Sequence, residues 1–233
     1  HPAHRAEGLA ASELSRRVLC LDSKGLILRD RPGLSGHKRH IAADPAVVAG
    51  WTADAAGRFG LRDVVRNFKP TVLVGVAGQP GSFTEEIVKL LASGCERPIV
   101  LALSNPTSKV EAHPADVLRW TNGAAIVGTG SPFAPVTLNG TTYEIGQCNN
   151  VLVFPGVGLG AIAVRARSLP DVAFGAAARA VYESTGAGGG AGAGIFPPRA
   201  TRMKAPSRRN AVLSAVKTSC SNAAQRARCG SMA

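Results

Sequence analysis

The feature that most constrains the fold is an alternation of short, β-branched apolar runs with segments that carry helix signals. Residues 71–77 read TVLVGVA, a continuous apolar run typical of a strand buried on both faces. The turn residues GQPG follow at 78–81, and Ser82 or Thr84 can then cap a helix whose first turn holds two glutamates. This stretch therefore predicts a strand, a turn and a helix that runs to residue 92.

The same pattern recurs along the chain. Further strands are predicted at residues 18–21, 98–103, 124–127 and 151–154, and a short helix at 114–120. Residues 29–40 are polar, with Pro and Gly, and are predicted to form a loop, whereas 46–68 show a mixed helical periodicity. Strands that alternate with helices indicate an α/β fold with a doubly wound parallel sheet.

Polar residues follow the predicted strands. Because right-handed crossovers bring the loops after successive parallel strands to one edge, that rim is where we expect a ligand. The rim is predicted to hold Asp22, Ala77, Asn105, Gly130 and Asn150. Two amide clusters stand out there, SNPT at 104–107 and QCNN at 147–150. An amide can both donate and accept, which suits a carboxylate or carboxamide ligand, although an Asn before a Pro can also simply form a turn.

The formal net charge of +12 does not by itself indicate a nucleic-acid-binding protein. Residues 184–233 contain eight Lys or Arg and no Asp or Glu, so the rest of the chain carries only +4. That basic segment has one aromatic residue, Phe196, and therefore lacks the aromatic residues on which single-stranded bases stack. We expect weak adhesion to polyanions and no specific nucleic-acid partner.

Neither a membrane span nor a secretion signal is predicted. No apolar run approaches the ~20 residues that cross a bilayer, and the first residues lack the apolar core of a signal peptide. The five cysteines are an odd number without a CxxC pair, which favours reduced thiols in a cytoplasmic protein. Residues 186–194 are nearly all Gly and Ala, as in a linker, and residues 199–233 are predicted to be a basic, disordered tail.

Five segments of the chain form one recognisable set: CLDSKGL at 20–26, GVAGQPGSFTEE at 75–86, ALSNPTS at 102–108, GSPF at 130–133 and GQCNNVLVFPGVGLG at 146–160. Together they resemble the malic enzyme family, the NAD(P)-dependent oxidoreductases that decarboxylate malate. The resemblance implies a Rossmann-like NAD(P)-binding domain over residues 7–198. It also implies a parent reaction in which malate, held on Mg or Mn, passes hydride to NAD(P)+ and loses CO2 to give pyruvate, in an enzyme that is a homo-oligomer when intact.

The resemblance also assigns roles to individual residues. Asp22 would bind the adenosine ribose hydroxyls, and the glycines near residue 75 would let the cofactor approach the backbone. The implied cofactor contacts are Asp22, Gly75, Ala77, Gly78, Asn105 and Asn149. The implied substrate contacts, beside the nicotinamide, are Asn105 and Asn150.

Several parts of the family's machinery have no counterpart in this sequence. In the family, the phosphate loop, the catalytic Tyr and Lys and the acidic metal ligands all precede the segment that corresponds to residues 7–22. We therefore predict no catalytic residue and no metal ligand in this chain, and no activity from the chain alone. The GVGLGA string at 156–161 looks like a phosphate loop, but no acid follows at the required distance, so we do not predict one there. The resemblance instead places this string near the substrate, on a helix entry.

Three alternatives stay open at this point. Lys38 and Arg39 lie where NADP-using relatives place a base, whereas a carboxylate at Asp22 would repel a 2′-phosphate, so the cofactor is NAD or NADP. The chain could instead be a non-catalytic nucleotide-binding or assembly protein. A basic nucleic-acid-binding protein is the third possibility.

Overall fold

A computed structural model of the chain describes residues 16–184. These residues fall into two compact units, 16–127 and 128–184. The ends of the predicted 7–198 domain, the Gly/Ala-rich linker and the predicted tail at 199–233 lie outside the described residues, so those boundaries stay predictions.

The unit of residues 16–127 holds most of the helices and strands. Its helices are α1 (Gly36–Ile41), α2 (Leu61–Phe68), α3 (Glu85–Ser93) and α4 (Pro114–Trp120), and its 3₁₀ turns are Pro45–Val48 and Thr107–Lys109. Its strands are β1 (Leu21–Asp22), β2 (Gly25–Leu26), β3 (Val72–Gly75), β4 (Ile99–Ala102) and the start of β5 (Ile126–Thr129).

The second unit, residues 128–184, continues from β5. Its further strands are β6 (Val136–Leu138), β7 (Thr141–Tyr143) and β8 (Gly146–Gln147). A 3₁₀ turn (Asn150–Leu152) leads into α5 (Phe154–Ala163), and α6 (Asp171–Ser184) follows. The core of this unit forms where α5 meets α6, and its buried residues are Val157, Ala173, Ala177 and Ala180.

A four-stranded sheet with the order β3-β4-β5-β8 confirms the predicted α/β fold. The pairs β3–β4 and β5–β8 are parallel, and the first runs in register from Val72 opposite Ile99 to Gly75 opposite Ala102. Helix α3 packs between α2 and α4, which gives one helical layer. Residues 71–77 were predicted to be buried on both faces. Instead only Leu73 and Gly75 are buried in β3, while Val72 and Val74 are 42% and 52% exposed.

The helices α3 and α4 begin where their capping residues predict. The Thr84 hydroxyl accepts the N–H of Ile87 at 3.4 Å, and Glu85 and Glu86 occupy the first turn, where the helix dipole favours negative charge. Helix α4 starts at Pro114, whose fixed φ suits the first helical position. Local signals were sufficient for both elements.

The position of Asp22 corrects the expected rim. Strand β1 does not join the four-stranded sheet but pairs antiparallel with β2, with Asp22 opposite Gly25. The chain turns back because Gly25 adopts φ +90°, and a Cβ there would lie 2.6 Å from the Phe59 carbonyl oxygen. Asp22 therefore lies on a hairpin and not at the end of a parallel strand.

Three other elements differ from the sequence predictions. Residues 151–154 are not a strand, because Asn149 caps the 3₁₀ turn and α5 starts at Phe154; the strand in this region is β8. This places GVGLGA within α5, so the expectation that it lies on a helix is confirmed.

The predicted loop at 29–40 contains most of α1. The hairpin β6–β7 was missed, although the Asn139–Gly140 pair, with φ 51° and 78°, is a strong signal for a tight turn.

No helix among residues 16–184 is both long enough and apolar enough to cross a membrane.

The missing side chain at Gly75 is required by the packing of its own unit. A Cβ built there would lie 2.5 Å from Cδ of Glu111 and 2.8 Å from Cζ of Phe83. The buried Glu111 and Phe83 thus fill the space that a side chain on β3 would occupy. The predicted role of Gly75 in close approach of the cofactor stays a prediction.

Gly75→Ala is expected to lower the free energy of unfolding by about 1–3 kcal/mol, because overpacking displaces buried neighbours. Gly158→Ala is the matched control, since nothing lies within 4 Å of a Cβ built at that exposed helical position. This control should stabilise the chain by about 0.5–1 kcal/mol through helix propensity. Urea unfolding followed by circular dichroism measures both, and equal stability of Gly75→Ala and the parent chain would contradict the packing.

Candidate functional site

The loop after β3 offers open backbone. Ala77 is exposed, and Gly78 adopts φ +64° with no heavy atom within 4 Å of where its Cβ would be. The Gly78 N–H is fixed from behind, since it donates to Oγ of Ser104 at 2.8 Å. A ligand can therefore approach the backbone of Ala77 and Gly78 without meeting a large side chain.

The loop after β4 presents Asn105. Ser104 is buried and Asn105 beside it is exposed, and the peptide bond from Asn105 to Pro106 is cis. The Asn105 side chain makes a long contact from Nδ2 to the Leu103 carbonyl at 3.5 Å. Because Ser104 bonds Gly78, the structure brings the predicted residues Ala77, Gly78 and Asn105 together at the ends of two neighbouring strands.

A buried acid joins these two loops from behind. Glu111 is 1% exposed, and its carboxylate accepts both the hydroxyl and the backbone N–H of Ser104. Two backbone hydrogen bonds, from Gly81 to Val110 at 3.2 Å and from Phe83 to Glu111 at 3.1 Å, fasten the same pair of loops. Sequence reasoning missed Glu111, and the only signal was an acid between the apolar Val110 and Ala112.

Asp22 lies in a separate, charged part of the same unit. Its Oδ1 accepts from Arg31 at 3.0 Å and its Oδ2 from the same guanidinium at 2.6 Å, while Lys38 bonds Oδ2 and the Lys24 N–H bonds Oδ1. The Arg31 guanidinium, assisted by Lys38, holds the pKa of the Asp22 carboxyl well below its usual range against the opposing effect of burial. Asp22 therefore stays ionised at neutral pH.

A small cavity of about 90 Å³ adjoins this cluster, which we call the Asp22 cluster (Asp22, Lys24, Arg31 and Lys38). Ser23, Pro32, Gly33 and Leu34 complete its lining. The side chains of Arg31 and Lys38 pair with the one carboxylate, and Lys24 contacts it through its backbone N–H, so cationic side chains outnumber the acid in the lining. The sequence pointed to Asp22 and Lys38, but it placed Arg31 in an unassigned loop.

The amides of the second unit have different surroundings. Asn149 accepts the N–H of Val151 at 3.0 Å and donates to the Gly130 carbonyl at 3.3 Å, so its side chain caps a turn and ties two loops. Asn150 is exposed at the start of the 3₁₀ turn. The cofactor contact expected of Asn149 and the substrate contact expected of Asn150 stay predictions.

A metal site requires several carboxylate, imidazole or thiol ligands close together. No group of three or more His, Cys, Asp or Glu within residues 16–184 has that arrangement. The described residues therefore do not fit the divalent metal of the parent reaction.

The sequence matches the family model of the malic enzyme NAD-binding domain over residues 1–216. It is 48% identical over 193 residues to an NAD-dependent malic enzyme of Sodalis glossinidius, covering 83% of this chain and 34% of that protein. It is 52% identical over 166 residues to an NAD-dependent malic enzyme of Acinetobacter baylyi, covering 71% of this chain and 29% of that protein. The chain thus spans about a third of the length of these relatives.

Solved structures show the same fold. The malic enzyme of Entamoeba histolytica superposes with a TM-score of 0.64 and 22% identity, over 88% of this chain and 37% of that one. The malic enzyme of Pyrococcus horikoshii superposes with a TM-score of 0.62 and 21% identity, over 89% and 42%. The match over residues 1–216 confirms the resemblance found in the sequence, and the chain belongs to the malic enzyme NAD-binding domain family.

Proposed function

We propose that this chain binds NAD and forms the cofactor-binding part of a malic enzyme, whose reaction is the oxidative decarboxylation of malate to pyruvate. The observation that carries the proposal is the pair of loops after β3 and β4. There the open backbone of Ala77 and Gly78 lies beside the exposed Asn105 at the carboxyl ends of parallel strands, where α/β folds bind ligands. The names of the relatives, both NAD-dependent, support the same cofactor.

Each half of the cofactor has a proposed contact. Asp22 is proposed to accept the adenosine ribose hydroxyls in place of Lys38, while Arg31 keeps the carboxylate oriented. Ala77 and Gly78 let the nicotinamide half of the cofactor approach the protein backbone closely, and Asn105 contacts the nicotinamide end and the substrate. In the second unit, Asn150 is proposed to contact malate or pyruvate through its exposed amide.

The metal and the proton transfers of the parent reaction are proposed to come from residues outside this chain. The described residues contain no donor set for a divalent metal, so the contribution proposed for this chain is to bind and orient the cofactor. Self-association of the intact enzyme and a cytoplasmic location stay predictions of the sequence.

Asp22→Asn is expected to shift cofactor preference toward NADPH. The change removes the charge that repels a 2′-phosphate and frees Arg31 and Lys38 to bind it. The ratio of NADPH to NADH affinity, from titrations followed by cofactor fluorescence, should rise about tenfold. Asp54→Asn is the matched control, since Asp54 also pairs with an arginine, Arg58, but outside the Asp22 cluster. An equal ratio in all three proteins would contradict the assignment of Asp22.

The isolated chain is expected to bind NADH without turning over malate, because the proton-transfer residues and metal ligands of the family have no counterpart in it. The measurement is NADH formation from malate and NAD with Mg or Mn, alongside a binding titration of the same sample. Malate-dependent NADH formation would contradict the inactivity. Failure to bind either NADH or NADPH would contradict the proposed function itself.

A further inference from the structure

Glu111 is a buried acidic residue to which the proposed function gives no role. It is 1% exposed and makes no ion pair with any residue in the range 16–184. A carboxylate buried without a cation costs free energy unless hydrogen bonds replace its lost water. The hydrogen bonds that Glu111 makes must therefore compensate for its burial.

Both oxygens of Glu111 are directed at one residue. Oε1 accepts the hydroxyl of Ser104, and Oε2 accepts the Ser104 backbone N–H at 3.3 Å. Because the hydroxyl proton points at the carboxylate, a lone pair of Oγ is left for the Gly78 N–H, which donates to it at 2.8 Å. Glu111 thus sets the direction of a hydrogen-bond chain that runs from Gly78 through Ser104.

The structure makes room for this chain of hydrogen bonds. Cγ and Cδ of Glu111 occupy the space beside β3 that Gly75 leaves by having no side chain. At Gly78 no heavy atom lies within 4 Å of where a Cβ would be, and Asn105 follows Ser104 directly in the sequence. Glu111 is therefore buried beneath the loops after β3 and β4, and Gly78 and Asn105 in these loops are the proposed cofactor contacts.

We propose that Glu111 is a positioning residue for the nicotinamide half of the cofactor. Acting through Ser104, it fixes the Gly78 N–H and the backbone that carries Asn105. This inference rests on the proposed function, since it takes Gly78 and Asn105 as cofactor contacts. Asp22 lies outside the chain of hydrogen bonds, so binding of the adenosine half does not depend on Glu111.

Two variants and one control test the proposal. Glu111→Gln keeps the size of the side chain but leaves one acceptor oxygen for the two donors of Ser104. Ser104→Ala removes the hydroxyl and leaves the Gly78 N–H without its acceptor. Thr121→Val is the control: Thr121 is as buried as Ser104, at 7%. Its hydroxyl also accepts one N–H, of Ala125, and it donates to backbone carbonyls, of Val117 at 2.8 Å and of Leu118 at 3.4 Å, where Ser104 donates to a carboxylate.

Two ligands separate positioning from general destabilisation. NADH carries the nicotinamide half, whereas AMP has only the adenosine and one phosphate and tests the adenosine half alone. In Glu111→Gln and Ser104→Ala the affinity for NADH should fall about tenfold, the effect of losing one buried hydrogen bond. Their affinity for AMP should stay within about twofold of the parent chain, as should both affinities of Thr121→Val.

Amide hydrogen exchange of the ligand-free chain gives a readout that needs no cofactor. Exchange at Gly78 should be faster in both variants and unchanged in Thr121→Val. Unchanged exchange at Gly78 would overturn the positioning role, and so would equal losses for NADH and AMP. If the parent chain bound neither ligand, the proposed function would fail and the inference with it, even where exchange at Gly78 had changed as expected.

Discussion

The parallel pairing of β3 with β4 is the constraint on which the rest of the proposed site depends. Four residues pair in register, from Val72 opposite Ile99 to Gly75 opposite Ala102, so both strands end level. The loops that follow must then emerge side by side. Gly78 and Ser104, which are 26 positions apart in the chain, come within hydrogen-bonding distance as a result.

This pairing also explains a small residue, Gly75, and a buried acid, Glu111, together. A side chain at Gly75 would collide with Glu111, and Glu111 is the group that holds Ser104. Core packing beneath β3 and loop geometry at its carboxyl end are therefore one arrangement. A substitution that favours the core packing but displaces the loops is expected to impair the binding geometry. A substitution that favours the loops but disturbs the core packing is expected to lower the stability.

The sequence was sufficient where local physics decides the structure. The β-branched runs at β3 and β4, the Thr84 cap and Pro114 are all local signals, and the elements they predicted are present. It failed where distant residues decide. Strand β1 turns back against β2 partly because Phe59, far along the chain, accepts the N–H of Leu26, and Glu111 acquires its partners only when two loops meet. The likeness of five motifs to one family identified the chain, but it could not indicate Arg31 or Glu111.

The most direct test of the account is a nuclear magnetic resonance titration of the chain with NAD, observing backbone amides. The account predicts that the largest shifts occur at Gly78 and Asn105 for the nicotinamide half and around Asp22 for the adenosine half. Titration with AMP, which carries only the adenosine and one phosphate, should reproduce only the shifts around Asp22. Saturable binding of NAD that shifts none of these amides would contradict the account.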